Sequence, residues 1–179
     1  MRDRTAGAAS PDQSAHLLLR GEAETERLGR ALARSLRTGD LVALSGGLGA
    51  GKSALARAVI RARLGRPDAE VPSPSYTLVN VYETPAGALW HADLYRLGDP
   101  SECDELGLDE GFASAVTLLE WPERLGGALP GRRLDIALAV AGEEDRRAVL
   151  TSRGAGWPPL AELLAGAGLE PAGLAVPGG

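Results

Sequence analysis

The chain has 179 residues, of which 44% are hydrophobic, so it is large enough to form one compact domain with a buried core. Its net charge of −5 argues against direct binding to nucleic acid, which requires a basic surface that neutralises phosphates. The single cysteine excludes an internal disulfide. Since no apolar stretch approaches the roughly 20 residues that span a bilayer, we expect a cytoplasmic protein without a membrane segment.

The N-terminal part of the chain predicts a tail, a strand and a helix, followed by a second strand. Residues 1–14 are poor in apolar side chains and are expected to form a flexible tail. Residues 16–19 predict a short strand, and apolar residues at helical spacing predict a helix over 22–36. The turn sequence at 38–40 then leads into residues 41–44, an apolar run that predicts a buried strand.

A glycine-rich loop follows this strand. Residues 46–53 read Gly-Gly-Leu-Gly-Ala-Gly-Lys-Ser, the pattern of a phosphate-binding loop, and helical spacing continues from Ala54 toward Leu64. In such loops backbone N–H groups and the helix N-terminus face the phosphates, the lysine contacts the β- and γ-phosphates, and the hydroxyl binds Mg²⁺. Lys52 is also the only lysine in the chain, which indicates a position where arginine cannot replace it. The sequence therefore predicts a site for ATP and magnesium, with a flexible Gly-rich turn as the alternative.

The middle of the chain predicts a loop and a hairpin. Two prolines exclude a helix over 71–75, so we expect an extended loop there. Residues 77–82 and 88–92 flank a Pro-Ala-Gly turn and predict an antiparallel pair of strands. Residues 100–106 are compatible with a short helix.

The C-terminal part predicts further strands and one helix. Residues 115–119 form an apolar run typical of a buried strand, and 134–140 and 148–151 predict two later strands. A helix is expected across 160–164, after which the sequence becomes rich in Gly, Pro and Ala and is expected to be loose.

Together these elements predict an α/β fold. We expect a P-loop NTPase-like three-layer sandwich with a mostly parallel central sheet, antiparallel edge strands and helices on both faces, in which the strand before the glycine loop is central. The expected organisation is a flexible tail over 1–14, a P-loop ATPase domain over 15–153, and a C-terminal extension over 154–179 with a short helix and a loose end.

Two acidic residues end apolar strands, where open α/β sheets bind ligands. Asp93 follows residues 88–92, and Glu120 follows residues 115–119. Either acid alone is equally compatible with a surface position that begins a loop or caps a helix. P-loop chemistry needs a carboxylate near the metal and a group that positions the nucleophile, so the two acids together with the glycine loop favour a catalytic site.

Other polar residues near these segments allow a functional and a structural interpretation. The hydroxyls of Ser73, Ser75 and Thr77 lie on the proline-stiffened loop, which is typical of a nucleotide-sensing switch and also of ordinary turn chemistry. We interpret His91 as a packed strand residue and Trp121 as an anchor against the sheet.

Seven segments of the chain, in this order, resemble the TsaE (YjeE) family. They are Glu24-Thr25, Leu28-Gly29, residues 44–53, Ser73-Pro74-Ser75-Tyr76-Thr77-Leu78-Val79, His91-Ala92-Asp93-Leu94-Tyr95-Arg96, Leu106-Gly107-Leu108 and Glu120-Trp121-Pro122-Glu123-Arg124. A phosphate loop alone is shared by many NTPases, whereas the later segments are specific to this family. The resemblance covers residues 16–152.

This resemblance implies a bacterial ATPase subunit required for threonylcarbamoyladenosine in tRNAs that read codons beginning with A. In the family, the subunit works with TsaD, which transfers the threonylcarbamoyl group to adenosine, and with TsaB. Contact with tRNA would therefore be indirect, through the complex, which fits the negative charge.

The resemblance also implies roles for individual residues. The loop holds the phosphates, Ser53 and Glu120 bind Mg²⁺, and Asp93 is the acid needed for hydrolysis, although the two acids could exchange roles. Thr25 is expected near the base, and Ser75 with Thr77 in a nucleotide-sensitive loop. The expected catalytic residues are Lys52, Asp93 and Glu120, the expected metal ligands are Ser53, Glu120 and Asp93, and the expected nucleotide-binding residues are Thr25, Gly46, Gly47, Leu48, Gly49, Ala50, Gly51, Lys52, Ser53, Ser75 and Thr77. The chain departs from the usual family motif at Gly47, commonly Asp, and at Ser53 and Ser75, commonly Thr.

Two alternatives remain open. A small-molecule P-loop kinase shares the strand, loop and helix but carries an arginine-bearing lid, whereas Arg57, Arg61 and Arg63 are interpreted as the solvated face of the P-loop helix. A nucleotide-gated interaction module would have negligible turnover by itself.

Overall fold

One eight-stranded sheet with helices on both faces organises the residues that the computed structural model describes, 12–99 and 101–175. In chain order the elements are β1 (Gln13–Leu19), α1 (Gly21–Ser35), β2 (Leu41–Ser45), α2 (Lys52–Leu64), β3 (Val79–Thr84), β4 (Gly87–Asp93), α3 (Glu102–Glu105), α4 (Leu108–Ser114), β5 (Val116–Glu120), the 3-10 turn η1 (Pro122–Leu125), β6 (Arg133–Val140), β7 (Arg146–Arg153), α5 (Leu160–Gly166) and β8 (Gly173–Ala175). The expected hairpin is formed by β3 and β4, whereas α4 and η1 were not predicted.

The strand order is β3-β4-β5-β2-β6-β7-β1-β8. Four consecutive strands, β4, β5, β2 and β6, pair in parallel, and the remaining neighbours pair antiparallel. The predicted α/β fold with a parallel centre and antiparallel edges is therefore confirmed. The prediction that β2, the strand before the glycine loop, is central is also confirmed.

Two hydrophobic clusters lie on opposite faces of the sheet. Consecutive residues of β5 belong to different clusters, because side chains alternate between the two faces along a strand. Leu118 belongs to the cluster beneath α1 and α2, and Leu119 belongs to the cluster beneath α4 and η1. All five residues of β5 are buried, which explains why the strand is mostly apolar before Glu120.

The helices α1 and α2 pack closely because small residues meet at their contact. A Cβ on Gly29 would lie 2.4 Å from the Cβ of Ala58, so the glycine lets the two backbones approach. This contact fixes α2, which begins at Lys52 and carries the end of the glycine loop.

The interpretation of Arg63 as a solvated residue of α2 is wrong. Its side chain is buried, and its guanidinium donates to the carbonyl oxygens of Leu36 at 3.0 Å and Ala86 at 3.1 Å. Burial lowers the pKa of Arg63, and the carboxylate of Asp40 opposes that shift. Helical periodicity could not predict that Arg63 is buried, because its carbonyl acceptors belong to segments that are distant along the chain.

The segments that we expected to be loose contribute ordered structure. Gln13 and Ser14 begin β1, and residues 173–175 pair with β1 as β8. The helix expected across 160–164 is present as α5, and its Leu160 and Leu164 are buried in the cluster beneath α1. Local patterns did not predict order at these two ends of the described chain, because strand pairing with distant segments orders them.

Residues 1–11, Pro100 and residues 176–179 lie outside the described part, which therefore includes only residues 12–14 of the expected N-terminal tail. The division into tail, ATPase domain and extension stays a prediction. None of the helices formed by residues 12–99 and 101–175 has the length and hydrophobicity that a membrane crossing requires.

Candidate functional site

The glycine loop lies between the end of β2 and the start of α2. Gly46 has φ 136°, and a Cβ at this position would lie 2.2 Å from the carbonyl oxygen of Leu138 in β6. Only glycine therefore permits the loop to leave β2 along this path. In contrast, a Cβ on Gly47 or Gly49 would meet no atom within 4 Å. The loop is fixed at its base, and these two positions face open space.

Lys52 is held inside the curve of this loop. Its side chain is only 5% exposed, and Nζ donates to the carbonyl oxygens of Gly46 at 2.6 Å and Gly47 at 2.7 Å. Nζ also lies 4.0 Å from the ring centroid of Trp121. Burial lowers the pKa of Lys52, whereas the carboxylates of Glu120, Glu123 and Asp93 raise it. The loop thus presents a partly desolvated ammonium beside several acids.

A chain of three polar side chains begins at the next residue. The Oγ of Ser53 donates to Oε2 of Glu120 at 2.8 Å, and the other carboxylate oxygen, Oε1, lies 2.8 Å from Nε2 of His91. Glu120 is 1% exposed and His91 is fully buried. The two oxygens of Glu120 therefore have different partners, one in the loop and one in the sheet.

Asp93 and Glu120 are neighbours because β4 and β5 run parallel and pair these two residues in register. Oδ2 of Asp93 accepts from Ser75 at 3.3 Å and from Ser73 at 3.5 Å. Its other oxygen accepts from the backbone N–H of Tyr95 at 3.0 Å. The 71–75 loop is thereby connected to the acid at the end of β4.

Lys52, Ser53, Asp93 and Glu120 meet in one open cleft with a volume of ≈ 520 Å³, whereas His91 lies buried behind Glu120. Of the expected residues, the cleft brings together Leu48, Gly49, Gly51, Lys52, Ser53, Ser75, Asp93 and Glu120. The others that line it are Ala54, Arg57, Ser73, Tyr95, Arg96, Trp121 and Arg146. Ala50 is buried in the core beneath the loop.

Five expected nucleotide-binding residues do not line this cleft: the loop residues Gly46, Gly47 and Ala50, and the more distant Thr25 and Thr77. Thr25 lines a second cavity of ≈ 310 Å³, which shares Gly51, Ala54 and Arg146 with the first and therefore adjoins it. The hydroxyl of Thr77 donates to Oδ1 of Asn80 at 2.8 Å, and its side chain lines neither cavity.

The sequence interpretation missed several residues of the site. His91 was detectable, since it lies two residues before Asp93 in β4 and strand side chains two residues apart share a face. Trp121 packs against the cluster beneath α4 and η1, as expected of an anchor, and it also lines the cleft, which was not predicted. Arg146 begins β7, far from any motif, and no local signal could have identified it.

The donors in the cleft fit Mg²⁺ better than a metal held by protein ligands alone. Within residues 12–99 and 101–175, no group of three or more His, Cys, Asp or Glu side chains is arranged to hold a metal ion. Ser53 and Glu120 offer hard oxygen atoms, and Mg²⁺ typically binds through one or two carboxylates together with substrate phosphates and water.

Comparison with known proteins identifies the family. The sequence model of the family described as "Threonylcarbamoyl adenosine biosynthesis protein TsaE" matches residues 19–149. The chain is 34% identical over 135 residues to the tRNA threonylcarbamoyladenosine biosynthesis protein TsaE of Rickettsia bellii, covering 75% of this chain and 93% of the relative. It is 35% identical over 142 residues to the protein of the same name from Bacillus subtilis, covering 79% and 87%.

A solved structure agrees with these sequence matches. The crystal structure of Bacillus subtilis YdiB superposes with a TM-score of 0.64 and 28% identity, over 79% of this chain and 86% of that one. The resemblance stated from the sequence motifs is confirmed, and the chain belongs to the TsaE family of tRNA threonylcarbamoyladenosine biosynthesis.

Proposed function

We propose that this protein binds ATP with Mg²⁺ in the ≈ 520 Å³ cleft and hydrolyses ATP as a subunit that acts with TsaB and TsaD in the cytoplasm. The modified product is threonylcarbamoyladenosine in tRNAs that read codons beginning with A. The observation that carries the proposal is the convergence of Lys52, Ser53, Asp93 and Glu120 in one cleft at the carboxyl ends of parallel strands. Family membership supports the pathway.

The glycine loop is the phosphate site in this proposal. Its backbone N–H groups and the N-terminus of α2 attract an anion, and Gly47 and Gly49 leave room for phosphates to approach the backbone. In this proposal the ammonium of Lys52, which donates to two loop carbonyls in the structure, forms charge-assisted bonds with the β- and γ-phosphates when ATP binds.

Ser53 and Glu120 are the proposed magnesium ligands. Their oxygen atoms lie 2.8 Å apart, which is close to the separation of about 2.9 Å expected for adjacent ligands in an octahedral shell of Mg²⁺. Mg²⁺ held there would neutralise charge on the phosphates and support transfer of the γ-phosphoryl group to water, with ADP as the leaving group. Ser53 keeps the hydroxyl that this role requires.

Asp93 is proposed to position the attacking water. Its carboxylate lies beside Glu120, accepts hydrogen bonds from Ser73 and Ser75, and lines the same cleft. Those two hydroxyls connect the 71–75 loop to the reacting centre, which supports a nucleotide-sensitive role for the loop that includes Ser75. The two acids could exchange roles, and their variants distinguish the assignments.

The cavity next to the cleft is the proposed place for the base and sugar. It begins where the phosphate cleft ends, at Gly51 and Arg146, and Thr25 lies on its wall. The net charge of −5 supports indirect contact with tRNA, through the assembled complex.

Two measurements test the proposal. Calorimetric titration with ATP, with and without Mg²⁺, should show tight binding that depends on the metal. Turnover should be slow for the isolated protein and rise when TsaB and TsaD are added. Absence of metal-dependent ATP binding would refute the site, whereas binding without any hydrolysis in the complex would refute the ATPase role alone.

A further inference from the structure

His91 is a polar residue in an apolar position. It lies in the middle of the sheet on β4, is fully buried, and pairs in register with Leu118 of β5. Among the described residues, its Nδ1 atom has no hydrogen-bond partner, and its only polar contact is Nε2 to Glu120. A buried polar atom without a partner is unfavourable, so an apolar side chain would serve packing alone better.

The contact with Glu120 defines what the histidine can do. A metal-binding carboxylate only accepts hydrogen bonds, so in the proposed site Nε2 is the ring nitrogen that donates to Oε1, 2.8 Å away. That bond fixes the carboxylate plane, because Oε2 is held by Ser53 on the opposite side, also at 2.8 Å. Without His91, Oε1 would be buried in the sheet with no donor.

From this geometry we infer that His91 is a positioning residue, which holds Oε1 of Glu120 so that Oε2 remains aimed at the metal position beside Ser53. The inference rests on the proposed magnesium site and deepens it. Residues that orient a metal-binding carboxylate typically change metal affinity by about 10- to 100-fold when they are removed.

The test compares two substitutions at this position. His91→Leu fills the space with an apolar side chain and removes the hydrogen-bond donor. In His91→Gln, the side-chain amide nitrogen takes the place of Nε2 and can still donate to Oε1 of Glu120. ATP binding is measured by calorimetry over a range of Mg²⁺ concentrations and again in excess EDTA. Thermal unfolding without ligand reports the folding of each variant.

We expect His91→Leu to need about 10- to 100-fold more Mg²⁺ for half-maximal ATP binding, with its affinity for ATP in EDTA unchanged. His91→Gln should reach half-maximal ATP binding at an Mg²⁺ concentration close to that of the wild type. Thr117→Val is the matched control, because Thr117 is a fully buried residue of β5 whose hydroxyl has no partner among the described residues. It should leave the magnesium requirement unchanged.

The outcomes separate the inference from the function on which it rests. If the wild type binds ATP without any dependence on Mg²⁺, the proposed function fails. If the wild type requires Mg²⁺ and His91→Leu has the same requirement, only the positioning role is overturned. The positioning role is also overturned if His91→Gln needs as much additional Mg²⁺ as His91→Leu. If His91→Leu does not fold, His91→Asn replaces it, since its shorter amide places nitrogen near the Nδ1 position and supplies no donor to Oε1.

Discussion

Gly46→Ala provides a sharp test of the loop geometry. The added Cβ would lie 2.2 Å from the carbonyl oxygen of Leu138 and 3.1 Å from the Cβ of Ala50. The first contact is with backbone of the central strand β6, so it cannot be relieved by rotating a side chain. In addition, φ 136° is a conformation that residues with a Cβ rarely adopt. Both effects oppose the native path of the loop.

The magnitude follows from these two effects. A residue held in a glycine-only backbone conformation costs about 1–3 kcal/mol, and overpacking against a fixed neighbour costs about 1–3 kcal/mol more. The sum of about 2–6 kcal/mol corresponds to a fall in Tm of about 5–20 °C for a domain of this size. If the loop shifts to relieve the contact, the Nζ of Lys52 also loses its position, so ATP affinity should fall as well.

Gly47→Ala is the matched control, because it introduces the same methyl group at the adjacent position. Here no atom lies within 4 Å of the added Cβ, and the backbone does not have a positive φ. Thermal unfolding followed by circular dichroism should show a near-wild-type Tm for this variant. Equal stability of the Gly46→Ala and Gly47→Ala variants would refute the assigned loop conformation.

Further predictions concern the charged site and the helix contact. Lys52→Ala should abolish tight ATP binding in calorimetry, because backbone donors cannot replace its ammonium, and unchanged affinity would contradict the P-loop assignment. Asp93→Asn and Glu120→Gln should keep most ATP affinity but lose about 10²- to 10³-fold in turnover with TsaB and TsaD, and wild-type turnover in either would exclude that acid. Of the two, only Glu120→Gln should need more Mg²⁺, and the reverse dependence would exchange their roles. Gly29→Ala should destabilise the protein by about 1–3 kcal/mol in chemical unfolding, because its Cβ would lie 2.4 Å from that of Ala58, and a gain in stability would show that the helices can separate.

Local sequence patterns predicted the elements that position the site. The loop, the strand before it and the helix after it could be identified because glycine spacing, a buried apolar run and a 3.6-residue period are all properties of short segments. The acids at the ends of β4 and β5 could be placed in the same way, since the carboxyl ends of parallel strands share one edge of the sheet. Their placement required no knowledge of which strands are adjacent.

The tertiary structure decided which of these groups touch. Ser53 and Glu120 are 67 residues apart, and their 2.8 Å contact exists only because β2 and β5 are neighbours in the sheet. The order of strands likewise brings Arg146 of β7 to the cleft. Arg63 is buried because α2 packs against the end of α1 and the turn between β3 and β4. No pattern within a few residues carries this information.

His91 shows the boundary between the two kinds of information. The sequence by itself determined that His91 shares a strand face with Asp93, because the side-chain period of a strand is two residues. Whether the imidazole packs among apolar side chains or supports a carboxylate depends on its neighbour in β5. Strand pairing is a long-range property, since its hydrogen bonds join residues that are distant along the chain, and only the folded sheet places Nε2 of His91 beside Oε1 of Glu120.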